Sequence, residues 1–130
     1  GKAKLIAARF DGAVLQEANL DEAKLSTANF DGADFTKASL RGADLSKASL
    51  KGAKGPMADL EGSTLQGANG QKANLKRAIL IKVSFKDADM RDANMFNSDM
   101  RDADVRGADL RGTDMRNARL RGVDLNASQR

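Results

Sequence analysis

Apolar side chains return along this chain at one fixed interval. Every residue whose number is a multiple of five is apolar from Leu5 to Leu125, except Gly55 and Gly70. Two positions before each of these centres stands a small residue. It is Ala in 20 of 25 repeats and otherwise Ser63, Val83, Ser98, Thr113 or Val123, so no insertion interrupts the phase. Neither regular element suits this interval. On an α-helix five residues turn through roughly 500°, so the centres would step about 140° around the axis and form no stripe. On a straight strand, residues five apart face opposite sides. The pattern fits a chain that bends once per repeat: small residue and centre point inward, the residue between them points outward, and two residues make a corner. Nine of the twelve glycines occupy the second corner position, which Asp87, Asp92, Asn97, Asp102 and Asn117 share. These residue types tolerate turn conformations, positive φ included.

Units such as ANLDE (Ala18–Glu22), ANFDG (Ala28–Gly32), ADLSK (Ala43–Lys47) and ADLRG (Ala108–Gly112) carry the match to A(D/N)LXX. The sequence resembles the pentapeptide-repeat family over essentially its whole length. That resemblance implies an all-β fold, a right-handed quadrilateral β-helix with four repeats to a coil. The periodicity alone does not choose four sides over three. Twenty residues per coil give about six and a half coils and a rod roughly 31 Å long. Residues 1–130 read as a single domain. The chain opens on Gly1 without Met, shows no capping helix, and loses its register at Asn126–Arg130. A β-helix leaves unpaired edges at open ends. The expectation is therefore a piece of a larger chain or an end-stacked oligomer.

With four repeats to a coil, residues 20 apart stack. Gly55 then lies over Phe35 and Gly70 under Met90, and each glycine deletes a large core side chain. Two outcomes are open: Phe35 and Met90 lean into the vacated space, or the coil is locally irregular, which Pro56 beside Gly55 favours. The irregularity is the expected one.

Composition narrows the function. Cys, His, Trp and Tyr are all absent, which removes thiolate sites, the commonest general base and nitrogen metal ligand, and most base-stacking side chains. No nucleophile elbow or phosphate-binding loop is present, and a core filled with Leu, Phe, Met and Ala leaves no substrate pocket. The chain reads as no enzyme, with no cofactor, no metal site and no small-molecule substrate. No apolar run is long enough to span a membrane, so the default reading is soluble and cytoplasmic, with a secreted or secretion-associated segment as the alternative. Net charge is +4: residues 1–70 hold nine basic and nine acidic residues, and residues 71–130 hold thirteen and nine. The C-terminal half is therefore mildly positive.

The outward positions carry the candidate chemistry. Fourteen centres are preceded by Asp or Asn, short polar side chains that readily bond nearby backbone amides. Arg91, Arg101, Arg106, Arg111, Arg116 and Arg121 follow centres near the C-terminus, and all but Arg121 have Asp two residues earlier. This predicts a charged collar that encircles the rod and largely cancels its own field. Ile79, Ile81 and Phe96 are apolar residues in outward slots and form the candidate interaction patch, while Val14 and Met57 stand alone. The leading reading is a non-enzymatic scaffold that binds a protein partner or associates with itself. Two alternatives follow. Some pentapeptide-repeat proteins mimic duplex DNA and bind a type II topoisomerase such as gyrase, but mimicry of phosphate demands a strongly negative surface. Weak nucleic-acid binding through the arginine collar is disfavoured by the paired aspartates.

Overall fold

The computed structural model describes residues 2–130, so Gly1, on which the expectation of a piece of a larger chain partly rests, lies outside the described residues. Each repeat forms one flat side of three residues followed by a two-residue corner. The side is too short for a strand and makes a single bridge. Every bridge is parallel and joins residues 20 apart, from Lys4 with Lys24 to Asp109 with Gln129. That spacing means four repeats to a coil, and the fold is a right-handed quadrilateral β-helix. No helix among the described residues is long and apolar enough to cross a membrane.

A repeating set of backbone bonds holds each side. The Leu25 N–H donates to Asp44 O of the next coil at 2.7 Å, and Asp44 N–H donates back to Ala23 O at 2.9 Å. At the corner, Thr27 N–H donates onward to Ser46 O at 2.9 Å, and Ala28 N–H closes the turn on Leu25 O at 3.0 Å. The second corner residue has positive φ in every repeat from Ala7 to Gly122, and fifteen of these residues are not glycine. An L-residue in this conformation costs roughly 1–2 kcal/mol. The ladder bonds on either side of the corner impose it nonetheless.

The centres and small residues close into one apolar core running from Ala23 to Leu110. Leu5, Phe10, Leu15 and Leu20 at one end, and Met115, Leu120 and Leu125 at the other, are only partly buried, since each packs against a coil on one side alone. Phe10 stacks on Phe30 with ring centroids 4.9 Å apart. Ser63 and Ser98 fill small-residue slots at 1% exposure, and neither hydroxyl has a hydrogen-bond partner. A buried unpaired polar group costs about 1–3 kcal/mol. Ser98→Ala, which restores the usual residue, is therefore expected to stabilise the rod by about 1 kcal/mol, read as a higher denaturation midpoint in urea with an unchanged slope.

The expected irregularity near Gly55, Pro56 and Gly70 is overturned. Bridges run unbroken through this region, Asp34 to Lys54 to Asn74 and Ser49 to Asn69 to Asp89. A Cβ built on Gly55 would overlap the Phe35 ring, and one on Gly70 would lie 2.5 Å from Met90 Sδ, so both vacated spaces are filled from a neighbouring coil. Pro56 occupies the first corner position, whose N–H takes no part in the backbone ladder. Proline at that point of a turn costs nothing and presets φ. The C-terminus also departs from expectation. Leu125–Ala127 form a 3-10 turn, with Asp124 accepting from Asn126 N–H, and Gln129 then returns to bridge Asp109. The composition drifts after Leu125, but the coil keeps its phase.

Candidate interaction surface

All fourteen Asp and Asn residues that precede a centre accept a hydrogen bond from the backbone N–H two residues on, at 2.8 to 3.3 Å. This N–H is the first corner donor left free by the ladder. The acidic slot is thus a backbone cap first, and a surface charge second.

In the collar the same carboxylates also receive the arginine side chains. Arg91 pairs with Asp89 at 2.7 Å, Arg101 with Asp99 and Arg106 with Asp104 at 2.6 Å, Arg111 with Asp109 at 2.6 Å, and Arg116 with Asp114 at 2.8 Å. Each pair is bidentate, through Nε and one terminal nitrogen. Arg121 makes no ion pair among the described residues, and Arg119 stands where its aspartate would be. Arg91 and Arg111 share one column of the rod and Arg101 and Arg121 another, while Arg106 and Arg116 lie on the two remaining corners. The series encircles the axis and lines no groove.

The pairing sets the acid response. The Arg116 side chain, and then its backbone N–H, hold the Asp114 carboxyl down to about 2. Asp99, Asp104 and Asp109 are likewise lowered, chiefly by hydrogen bonds from Arg101, Arg106 and Arg111. An unfolded aspartate titrates near 3.9. The stabilisation from these groups is therefore complete above about pH 4 and is lost as pH falls through their folded values. Unfolding free energy is expected to stay level from about pH 7 to pH 5 and to decline below pH 4, with a shallower decline in Asp104→Asn with Asp114→Asn, as measured by denaturant titration across pH.

Of the three residues of the apolar patch, Ile79 and Ile81 lie on one coil and Phe96 on the next. Ile79 lies mid-side and is 38% exposed, and Ile81 opens the following corner half-buried. Phe96 stands at the preceding corner one coil higher, its ring between Lys76 Nζ at 5.6 Å and the Arg116 guanidinium at 5.7 Å. That stacking gives Phe96 a local role within its column. Val14 and Met57 are exposed as expected, and Ile6, at 59%, is an exposed apolar residue that the pattern reading passed over in a corner slot.

Charge holds the larger surprise. Residues 1–71 carry nine residues of each sign, and residues 87–130 carry eight basic and nine acidic. Between them Lys72, Lys76, Arg77, Lys82 and Lys86 stand with no acidic residue at all. The positive excess thus belongs to one turn of the rod in its middle, not to the arginine collar. None of these five makes an ion pair among the described residues. At the C-terminal end, a shallow cleft of about 350 Å³ between Asp102–Arg106 and Gly122–Ala127 opens where the terminal turn leaves the ladder. Asp104 there is already held by Arg106, and no group of residues suited to a metal ion is found among the described residues.

Comparison with known proteins agrees with this geometry. The family profile described as pentapeptide repeats matches residues 2–32, 18–54, 58–95 and 88–126, in eight copies. Among solved structures, HetL, a pentapeptide repeat protein involved in heterocyst differentiation regulation from the cyanobacterium Nostoc sp. strain PCC 7120, is 29% identical with a TM-score of 0.52. That match covers 92% of this chain but only 58% of HetL, so the chain spans little more than half of that relative. A trypsin-treated form of QnrB1, a plasmid-mediated fluoroquinolone resistance protein, superposes with a TM-score of 0.77 at 19% identity, over 97% of this chain and 69% of its own. Rfr23, a pentapeptide repeat protein from the cyanobacterium Cyanothece 51142, gives 0.59 at 21% identity, over 97% and 90%. The last two show the fold alone. Comparison with curated protein sequences finds no match.

Proposed function

The chain belongs to the pentapeptide-repeat family, and from that premise we propose that it is a non-enzymatic scaffold, a rigid rod that binds protein through its outer faces. The closed interior carries this reading. From Ala23 to Leu110 the core is packed apolar side chain on apolar side chain, so recognition falls to the outside. Along every inner side the backbone is spent on the ladder, which leaves side chains and the corner groups as the means of contact. A regulatory role of the kind named for HetL suits a protein that acts by contact rather than by turnover. Ile79 and Ile81 are the proposed contact residues, and self-association through them is the alternative to a foreign partner.

The DNA-mimic reading has less to support it. A mimic must reproduce the dense negative charge of a duplex, whereas the collar here is neutralised pair by pair and the middle of the rod is positive. Gyrase supercoiling and a duplex gel shift at low salt test both nucleic-acid alternatives. Neither is expected to respond to the protein, and inhibition of gyrase or a saturable shift would overturn the scaffold reading.

A further inference from the structure

Four sides and four corners make up the coil from Gln71 to Met90. The corners are Gln71–Lys72, Lys76–Arg77, Ile81–Lys82 and Lys86–Asp87. On one side alone the cations bracket exposed apolar surface. Ile79 stands at its middle, Ile81 and Lys82 bound it at one corner, and Lys76 and Arg77 at the other. We propose that this side docks an acidic segment of a partner protein that also presents apolar side chains. The inference rests on the scaffold reading and adds the chemistry of the partner.

The surroundings leave the charge of this side positive in balance. Asp59 lies directly below Ile79 and Asp99 directly above it. Asp59 and Glu61 are both taken by Arg41, at 3.2 and 3.0 Å, and Asp99 is taken by Arg101 at 2.6 Å. Asp59, Glu61 and Asp99 are thus already answered from within the rod; Asp102, stacked above Lys82, makes no ion pair among the described residues, and neither do Arg77 and Lys82. Lys76 keeps its ammonium over the Phe96 ring, an attraction that leaves the charge available to an anion on its outer side. Local stability does not explain the two corner cations. Arg77 and Lys82 hold φ of 60° and 56°, where a glycine would sit without the cost paid by an L-residue.

The same layout argues for protein over nucleic acid. Lys72 and Lys86 sit on the two far corners, so a duplex laid on this side would reach only three cations and would press its phosphates on two isoleucines. An acidic apolar segment satisfies both features at once. Ile79 itself offers no main-chain pairing, because its N–H already donates to Ala58 O and its O accepts from Leu60, whereas the corner N–H of Ile81, with no Asp or Asn two residues before it, has no partner among the described residues. Side chains, with the one free corner N–H of Ile81, would set affinity, which predicts weak, salt-sensitive binding.

The test is fluorescence anisotropy with a labelled short peptide alternating glutamate and leucine, at low salt, with circular dichroism to confirm that each variant folds. Saturable binding is expected, weakening as salt rises. Arg77→Glu with Lys82→Glu, and separately Ile79→Ser with Ile81→Ser, are each expected to weaken it about tenfold or more. Arg106→Gln with Arg111→Gln, in the neutralised collar, should leave it unchanged, and a glutamine–leucine or an all-glutamate peptide should bind about tenfold more weakly than the mixed one. Absence of binding, or binding indifferent to the Arg77, Lys82 and isoleucine variants, overturns the proposal and leaves the scaffold reading standing. Duplex DNA binding that depends on Arg77 and Lys82 but not on the isoleucines overturns both.

Discussion

Gly55→Leu, although it installs the residue the repeat asks for, is expected to destabilise the rod by about 1–3 kcal/mol or more. The space above Phe35 is not empty. The ring stands where the first side-chain atom at position 55 would be, with three ring atoms in the way of a Cβ. Phe35 is 2% exposed and closed in by the stacked core, so a stiff ring has no route to solvent and the backbone must yield instead. Phe35→Leu alone should also cost stability, because it leaves Gly55 facing a gap. The double variant Phe35→Leu with Gly55→Leu rebuilds an ordinary Leu-on-Leu stack and is expected to recover most of both losses. That gives a coupling of roughly 2 kcal/mol in a denaturant double-mutant cycle. Gly70 makes the useful contrast. There the neighbour is the flexible end of Met90, with Sδ and Cε at 2.5 and 2.7 Å from the built Cβ, and Met re-packs readily. Gly70→Ala should therefore cost less than Gly55→Ala. A Gly55→Leu variant as stable as the parent would mean that the ring can move, and that the core is looser than its packing.

What could be read in the sequence follows from which interactions are local. The bend in each repeat was legible because Ala, centre and corner lie within five residues, and the corner announces itself by Gly, Asn and Asp. The number of sides was not, since the angle of each corner depends on backbone geometry that many residue types adopt alike; Thr27 and Gly32 hold φ of 58° and 65°. The bridges 20 apart supply it. The fit of Phe35 to Gly55 was visible only as one of two outcomes, because it joins residues on different coils. The neutral collar was legible, as each Arg lies two residues from its Asp across one corner. The belt from Lys72 to Lys86 was missed for a plainer reason: summing charge over half the chain spread its excess across the arginines beyond it. Phe96 was grouped with Ile79 and Ile81 on apolarity alone, whereas its ring is engaged by Lys76 and Arg116 in its own column.

Removing Asp92 alone is expected to unfold the chain from that point to its C-terminus, while removing Asp92–Phe96 together should leave the rod folded. Three residues make a side and two make a corner. An extra residue can swell outward as a bulge, but four residues cannot span both side and corner. After loss of Asp92, the residues beyond it keep their spacing but change their facing: Asn94, Asp99 and Asp104 turn to the core, and Met95, Met100, Val105 and Leu110 turn to water. Burying aspartate without a partner costs more than the coil can recover. The five-residue deletion keeps the phase and only advances the upper coils by one side. Met100, Val105, Leu110 and Met115 then seat over Leu75, Leu80, Phe85 and Met90, apolar on apolar. The Phe35–Gly55 and Gly70–Met90 fits lie below the cut and are untouched. A solenoid's stability is nearly a sum of its repeats and their nearest-neighbour contacts. Hydrogen exchange should therefore show protection lost beyond position 92 in the single deletion, with the coils from Ala23 to Leu80 still protected. In the five-residue deletion protection should persist throughout, with a midpoint lower by a few degrees. Equal behaviour of the two deletions would refute a fixed five-residue side, and with it the claim that the phase of the repeat, rather than the identity of any one residue, holds this rod together.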